Sequence, residues 1–374
     1  MAKRIIISGG GTGGHIFPAI AIADALKKLH PDTELLFVGA NGRMEMEKVP
    51  AAGYKIEGLD IAGFQRGSIL KNLSLPFKVL SSVSKAKTII QNFKPDAVVG
   101  VGGYASGPLL YAASTKNVPI LIQEQNSYAG ITNKWLAKKA KTICVAFDGM
   151  EQFFSADRII KTGNPIRTSS VDIKGKREEA FNFFKLSLFK KTILVTGGSL
   201  GAGTLNKCMQ AGLNDLIAAD VQLIWQTGKY YYKGILEKLG ENINPNICVL
   251  EFLNRMDLAY AAADVIISRA GAGTIAELCM IKKPVILVPS PNVAEDHQTK
   301  NALALVNQNA AVLVKDIDAE KTLVKTALGL LQDKNQQQKL STQIGKLAMP
   351  DADLNIAKQV LKLTENKTDA VFTA

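Results

Sequence analysis

Two stretches of this chain carry the same design, and they limit the fold more than any other feature. The first opens Lys3-Arg4-Ile5-Ile6-Ile7-Ser8 and continues Gly9-Gly10-Gly11-Thr12-Gly13-Gly14-His15, followed by a helical apolar pattern from Phe17 to Leu29. The second begins at Lys191. Thr192 to Thr196 reads as a strand, Gly197 to Gly203 as a turn, and Leu205 and Met209 as part of the helix that follows. A buried parallel strand feeding a glycine-rich turn and a helix start is the opening unit of a Rossmann-like domain. Two such openings about half a chain apart predict two Rossmann-like domains in tandem, and 374 residues suit two domains.

Between the openings, short apolar strands alternate with helical segments, as βαβ units require. The strand candidates are Leu35–Val38, Ala97–Val101 and Ile120–Ile122, then Gln222–Gln226, Val265–Ser268, Pro284–Val288 and Ala311–Val314. The switch between halves falls near Thr162-Gly163-Asn164-Pro165-Ile166-Arg167. The expected domains are therefore 1–163 and 164–350. Residues 351–374 form a C-terminal helix, from Ala352 to Leu363, and a tail whose last ten or so residues read as disordered. The uncharged run from Ala97 to Thr115 contains Gly100, Gly102, Gly103, Gly107 and Pro108, so it reads as strand, loop and helix start, not as a membrane span. No targeting segment is visible, and the expected location is cytoplasmic. Cys144, Cys208, Cys248 and Cys279 form no C-x-x-C pair and read as small buried hydrophobes in a reducing compartment.

The chain has 45 basic and 33 acidic residues, a net charge of +12. Much of that excess is local. From Ile61 to Phe147 there are eleven Lys and Arg against two acids, Asp96 and Glu124, a net of +9. The partner of this region should be negative: a phosphate-rich ligand, a nucleic acid or an anionic membrane surface. Here Ile69, Leu70, Leu73, Leu75, Phe77 and Leu80 are interleaved with Lys71, Lys78, Lys85 and Lys87. That mixture suits a surface resting on anionic headgroups; the plainer alternative is a crossover helix with a solvated lysine face. Against nucleic acid stands the lack of aromatic stacking platforms or a recognised motif.

The glycine turns carry the chemistry. Gly9-x-Gly11-x-x-Gly14 formally matches a dinucleotide fingerprint, but the second strand ends Phe37-Val38-Gly39-Ala40-Asn41, with no acid for ribose hydroxyls. What remains is a backbone that offers N–H groups to an anion at a helix N-terminus. His15 follows that loop and is a general-base candidate, because an imidazole titrates near neutrality; the alternative is that it positions the loop. His30, before Pro31, reads as a helix-end residue. Gly100-Val-Gly-Gly-Tyr104-Ala-Ser-Gly107-Pro108 and Gln123-Glu124-Gln125-Asn126 end two further strands, and all three loops should face one cleft. In the second half, Thr274 and Glu277 have capping-box spacing, yet the same segment, Arg269 to Glu277, could hold a nucleotide phosphate and ribose. Ala294 to Asn301, with Gln298, has helix-start composition. Asp316–Asp318 and Asp351–Asp353 read as helix caps and not as a metal site.

Taken together, Gly9 to His15, Gly100 to Pro108, Glu124-Gln125-Asn126, Thr162 to Arg167, Gly197-Gly-Ser199 and Ala272 to Glu277 resemble the lipid II-forming N-acetylglucosaminyltransferases along nearly the whole chain. The resemblance implies an α/β GT-B fold, two Rossmann-like domains with parallel sheets around a central cleft. It implies an inverting, metal-independent transfer of N-acetylglucosamine from UDP-N-acetylglucosamine to the 4-hydroxyl of lipid I, with no cofactor. It implies a peripheral enzyme on the cytoplasmic face of the membrane, and no nucleic acid. Donor-binding residues carry over to Thr12, Gly13, Gly14, Asn126, Arg167, Ser199, Leu253 (through its backbone), Ala272, Gly273, Thr274, Ile275, Ala276, Glu277 and Gln298. Glu277 would hold the ribose and Thr274 the phosphates. His15 matches the family's proposed base, with Glu124 as the alternative. The membrane face would include Ile69, Leu73, Phe77, Lys71, Lys78 and Lys85. Leu200 stands where many members have glutamine, and Gln123 replaces a common histidine. A UDP-sugar 2-epimerase of the same fold is the nearest competing function.

Overall fold

The structure is a computed structural model and describes residues 2–61, 75–166, 168–198 and 200–369. The chain divides into two compact units, one made of Met1–Ile166 with Met349–Ala374 and the other of 167–348. Each unit is built on one parallel sheet.

The first sheet contains β1 (Arg4–Gly9), β2 (Glu34–Ala40), β3 (Lys55–Leu59), β4 (Ala97–Gly102), β5 (Ile120–Glu124), β6 (Thr142–Val145) and β7 (Ile159–Lys161), in the order β3-β2-β1-β4-β5-β6-β7. The second contains β8 (Thr192–Thr196), β9 (Gln222–Gln226), β10 (Ile247–Leu250), β11 (Val265–Ser268), β12 (Val285–Leu287) and β13 (Val312–Leu313), in the order β10-β9-β8-β11-β12-β13. Both follow the doubly wound Rossmann order, whose direction reverses beside the first strand of each domain. That places the switch points between β1 and β4 and between β8 and β11, where the glycine turns leave the sheet.

Burial on both faces explains the unbroken apolar strands. Ile5 and Ile7 point into one layer and Ile6 into the other, all three fully buried. The Ile6 layer is closed by Ile89, Ile90, Leu109 and Leu110 from the helices Leu75–Phe93 and Ser106–Thr115. The Ile5–Ile7 layer is closed in part by Ile356, Ala357 and Val360. Those residues lie on the last helix, Ala352–Asp369, which returns to pack on the first sheet. The expected C-terminal helix of residues 351–374 thus contributes to the first unit's core. It also runs on to Asp369, beyond the expected end at Leu363. All four cysteines are free thiols, and burial pushes Cys144 and Cys279 up to about 12.

Candidate active site

In the first domain the Gly13–Leu29 helix begins at Thr12, whose backbone is extended and whose side chain makes no capping bond. No acid occupies the first turn. The leading N–H groups therefore keep the partial positive charge of a helix start. The loop before it is held from behind by Glu45, a fully buried carboxylate that accepts from Gly11 N–H at 2.9 Å and Ala40 N–H at 3.0 Å. A Cβ on Gly10 would lie 2.1 Å from that carboxylate, which fixes glycine there. Sequence reasoning missed Glu45, because its partners are set by the packing of two loops and not by local spacing.

The loop after β4 presses against the first one. Gly103, at φ +91, would bring a Cβ within 2.3 Å of the Gly10 carbonyl oxygen. Gly102, at φ +107, would bring one within 2.7 Å of His15 Nδ1. Here glycine lets two backbones and an imidazole share one space. His15 Nδ1 lies 2.9 Å from Gln125 Oε1 and 3.1 Å from the Val101 carbonyl oxygen. Gln125 also donates its Nε2 to the Val101 carbonyl at 2.9 Å.

Glu124, next in the chain, is 3% exposed. Its Oε1 accepts from the Asn126 backbone N–H at 3.0 Å and, more weakly, from Asn126 Nδ2 at 3.4 Å. Its Oε2 accepts from Gly130 N–H at 3.0 Å and Asn133 Nδ2 at 2.8 Å. The carboxylate is thus turned inward as the post around which the 124–133 loop is wound. Gln123 donates to Asn164 Oδ1 at 3.0 Å, and Asn164 Nδ2 donates to the Gln125 carbonyl at 2.9 Å.

In the second domain the loop after β8 interlocks with the loop after β9. A Cβ on Gly201 would lie 1.9 Å from the Thr227 carbonyl oxygen, and one on Gly228 would lie 2.3 Å from the Gly201 nitrogen. Buried Gln226 ties this turn together, accepting from Thr196 Oγ1 at 3.0 Å and donating to the Gly198 carbonyl at 2.9 Å. The helix after β11, Ala272–Ile281, is capped by the extended residue Gly271, and its first turn holds no acid. Thr274 is therefore inside the helix, and the Thr274–Glu277 pair is not a capping box. Glu277 instead receives two hydroxyls, Ser170 Oγ at 3.0 Å and Tyr260 Oη at 2.9 Å. Tyr260 is fully buried, and burial together with the Glu277 charge raises its phenol well above the usual value, so it stays a donor. Gln298, in the first turn of the His297–Val306 helix, accepts from Ser290 N–H at 2.9 Å. Leu253 is half-buried in the loop after β10.

Asp316 departs from its expected role as an ordinary cap. Its carboxylate pairs with the Arg269 guanidinium and accepts from Thr204 Oγ1 at 3.0 Å, and both partners of the ion pair are largely buried. Arg269 also donates to the carbonyls of Val288 and Pro289, so this pair ties the β11 and β12 loops together. Arg167 and Ser199 lie outside the described residues, as do Ile69, Lys71 and Leu73.

A profile of the glycosyltransferase family 28 N-terminal domain matches residues 5–145, and one of the family's C-terminal domain matches 192–369. The chain belongs to glycosyltransferase family 28. Its two parallel-sheet domains are the GT-B architecture of that family. A curated relative is the UDP-N-acetylglucosamine–N-acetylmuramyl-(pentapeptide) pyrophosphoryl-undecaprenol N-acetylglucosamine transferase of Parabacteroides distasonis. It is 56% identical over 364 residues, which cover 97% of this chain and 99% of the relative. The crystal structure of Acinetobacter baumannii MurG matches with a TM-score of 0.78 at 28% identity, over 96% of this chain and 99% of that one. A putative UDP-N-acetylglucosamine 2-epimerase from Listeria monocytogenes has a TM-score of 0.68 at 16% identity, over 99% of this chain and 98% of that one, and so shares the fold alone.

Proposed function

We propose that this family 28 enzyme transfers N-acetylglucosamine from UDP-N-acetylglucosamine to the 4-hydroxyl of the N-acetylmuramoyl sugar of lipid I, giving lipid II and UDP with inversion. The observation that carries the reading is near-full-length identity of 56% to a relative of that name. The geometry supplies the chemistry. His15 takes the proton of the acceptor hydroxyl, the freed oxygen bonds to the anomeric carbon, and the bond from that carbon to the diphosphate breaks with its electron pair leaving on UDP. Glu124 has its lone pairs committed inside the protein, so the base role falls to His15. The donor would lie against Ala272 to Glu277, with Thr274 at its phosphates and Glu277 at its ribose, together with Thr12, Gly13, Gly14, Asn126, Arg167, Ser199, Leu253 and Gln298. Charge building on UDP would meet helix N-termini that no acidic first turn cancels.

Radiolabelled UDP-N-acetylglucosamine incubated with a soluble lipid I analogue tests the reading. Label should appear in the disaccharide product, with UDP released only when acceptor is present. Acceptor-independent conversion of the nucleotide sugar would favour the epimerase instead.

The membrane face belongs to the first domain. Along Leu75–Phe93 the buried residues are Ser82, Ala86, Ile89 and Ile90, while Phe77 is 75% exposed beside exposed Lys78 and Lys85. Trp135, 59% exposed, stacks on Tyr111 at 5.6 Å, and Lys134, Lys138 and Lys139 lie close to it in the chain. Exposed aromatics among lysines, with no acid in the Leu75–Phe93 helix, support contact with anionic headgroups. Lys78→Glu with Lys85→Glu should weaken sedimentation with anionic vesicles while leaving turnover of the soluble acceptor intact. Equal loss in both assays would assign these lysines a structural role.

A further inference from the structure

The loop after β5 contributes one more residue to the reaction, and hydrogen-bond logic identifies it. The Val101 carbonyl can only accept. The Gln125 nitrogen 2.9 Å from it must therefore be the amide N–H, which settles the orientation of that side chain. The other end of the amide, Oε1, then faces His15 Nδ1 at 2.9 Å, and it too can only accept. The Val101 carbonyl is itself 3.1 Å from the same ring nitrogen. Two acceptors facing Nδ1 require a proton there. In the neutral imidazole the basic lone pair is then on Nε2.

We infer that Gln125 is a positioning residue that fixes the tautomer of His15, keeping the proton on Nδ1 and the lone pair on Nε2. The inference rests on the reading of His15 as the base. Gln125 is suited to the task because it is itself held. Its side chain is buried, and its carbonyl accepts from Asn164 Nδ2 at 2.9 Å, with Asn164 braced in turn by Gln123 at 3.0 Å. Gly102 completes the arrangement, since any side chain there would displace the ring. A neutral amide orients the imidazole without the strong pull on its pKa that a carboxylate would exert.

The chain has three histidines, His15, His30 and His297, so ¹⁵N imidazole spectra can be assigned by comparison with His15→Gln. Wild-type His15 above its pKa should show a protonated Nδ1 and an unprotonated Nε2. In Gln125→Met, which keeps the volume and removes both amide contacts, a population protonated at Nε2 should appear. Its kcat should fall about 10- to 100-fold, with KM for UDP-N-acetylglucosamine within about threefold. The expected loss is smaller than the roughly 10⁴-fold cost of the wrong tautomer in a serine protease, because Val101 still offers one acceptor. Wild-type His15 protonated at Nε2 would overturn the inference, and that spectrum decides the matter even if Gln125→Met fails to fold. An unchanged tautomer in Gln125→Met, or a changed tautomer with wild-type kcat, would also overturn it. Full turnover by His15→Gln would remove the base reading itself, which keeps the two failures distinct.

Discussion

The same strand order carries a carboxylate near the ligand-facing strand ends of both domains, and the two carboxylates are wired differently. Glu124 in the first is buried and takes only N–H donors from its own loop. Glu277 in the second is half-buried and accepts from two hydroxyls, one from Ser170 far away in sequence and one from buried Tyr260. A carboxylate wrapped by N–H groups of its own segment stabilises a loop, whereas one steadied by two hydroxyls while still half-exposed suits the ribose-binding role proposed for Glu277. The difference separates building a site from using it, although both residues stand in motifs of similar appearance.

The largest expected effect breaks the comparison on the building side. Glu124→Ala leaves the backbone N–H groups of Asn126 and Gly130 and the Asn133 amide without their acceptor. It should destabilise the first domain by about 3–5 kcal/mol, the range for stripping a partner from a buried charged network. Thermal unfolding and protease sensitivity of the 124–133 loop measure it. A variant with wild-type melting but no turnover would return Glu124 to the catalytic role.

On the using side, Glu277→Gln should weaken UDP-N-acetylglucosamine binding by about 1.5–3 kcal/mol, the worth of a charged hydrogen bond, or roughly 10- to 100-fold. The melting temperature should move much less than in Glu124→Ala. Titration calorimetry and a melt on the same preparation separate the outcomes, and a reversed pattern would erase the distinction between the domains.

The contrast also shows what the sequence displays and what it hides. Strands buried on both faces were legible. Thr192–Thr196, Gln222–Gln226 and Val265–Ser268 stand as read, because apolar runs between glycines admit few alternatives. The edge strands Lys55–Leu59, Ile159–Lys161 and Ile247–Leu250 were missed, being short and half-exposed, as was Thr142–Val145, which is only four residues long. The glycine loops were legible as loops, but the residues that shape them were not. Glu45 reaches Gly11, Gln226 reaches Gly198, and Tyr260 and Ser170 reach Glu277, partners 17 to 107 positions away, and no local spacing announces such pairs. The capping-box reading failed for the same reason. Thr274 and Glu277 have the spacing, but the helix begins earlier, at Ala272, after Gly271.

A smaller effect sharpens the comparison through pH. In the second domain Lys283 is half-buried, donating to the carbonyls of Ala261 and Ala263 at the end of the Met256–Ala262 helix. Burial, aided by Arg177, lowers its pKa from 10.5 to about 8. Between those values the unfolded chain holds a proton that the folded domain does not, so stability rises with pH across that window and the charged form is a cost below it. Denaturant unfolding of the second domain should strengthen by about 1 kcal/mol between pH 8 and 9.5 relative to Lys283→Met, given 1.36 kcal/mol per unit of full proton difference. The same slope in both proteins would assign the effect elsewhere.

The smallest expected effect is the response to chelation, and it follows from how the acids are used. UDP leaves with growing negative charge, which either a divalent cation or fixed dipoles must meet. A cation needs carboxylates with lone pairs to give. Glu45 gives its lone pairs to Gly11 and Ala40, Glu124 to its own loop, and Asp316 to Arg269 and Thr204. The helix starts at Gly13 and Ala272 each carry no acid in their first turns, so no side-chain charge there offsets the N–H dipoles of either helix. Excess EDTA should therefore leave turnover of a soluble acceptor within about twofold of its untreated value, a change in barrier below roughly 0.5 kcal/mol. Asp316→Asn, by contrast, should lower the melting temperature of the second domain by loosening Arg269, with no change in the response to EDTA. If EDTA abolished turnover and Mg²⁺ restored it, the leaving charge would be met by a metal, and the uncancelled helix starts would need another explanation.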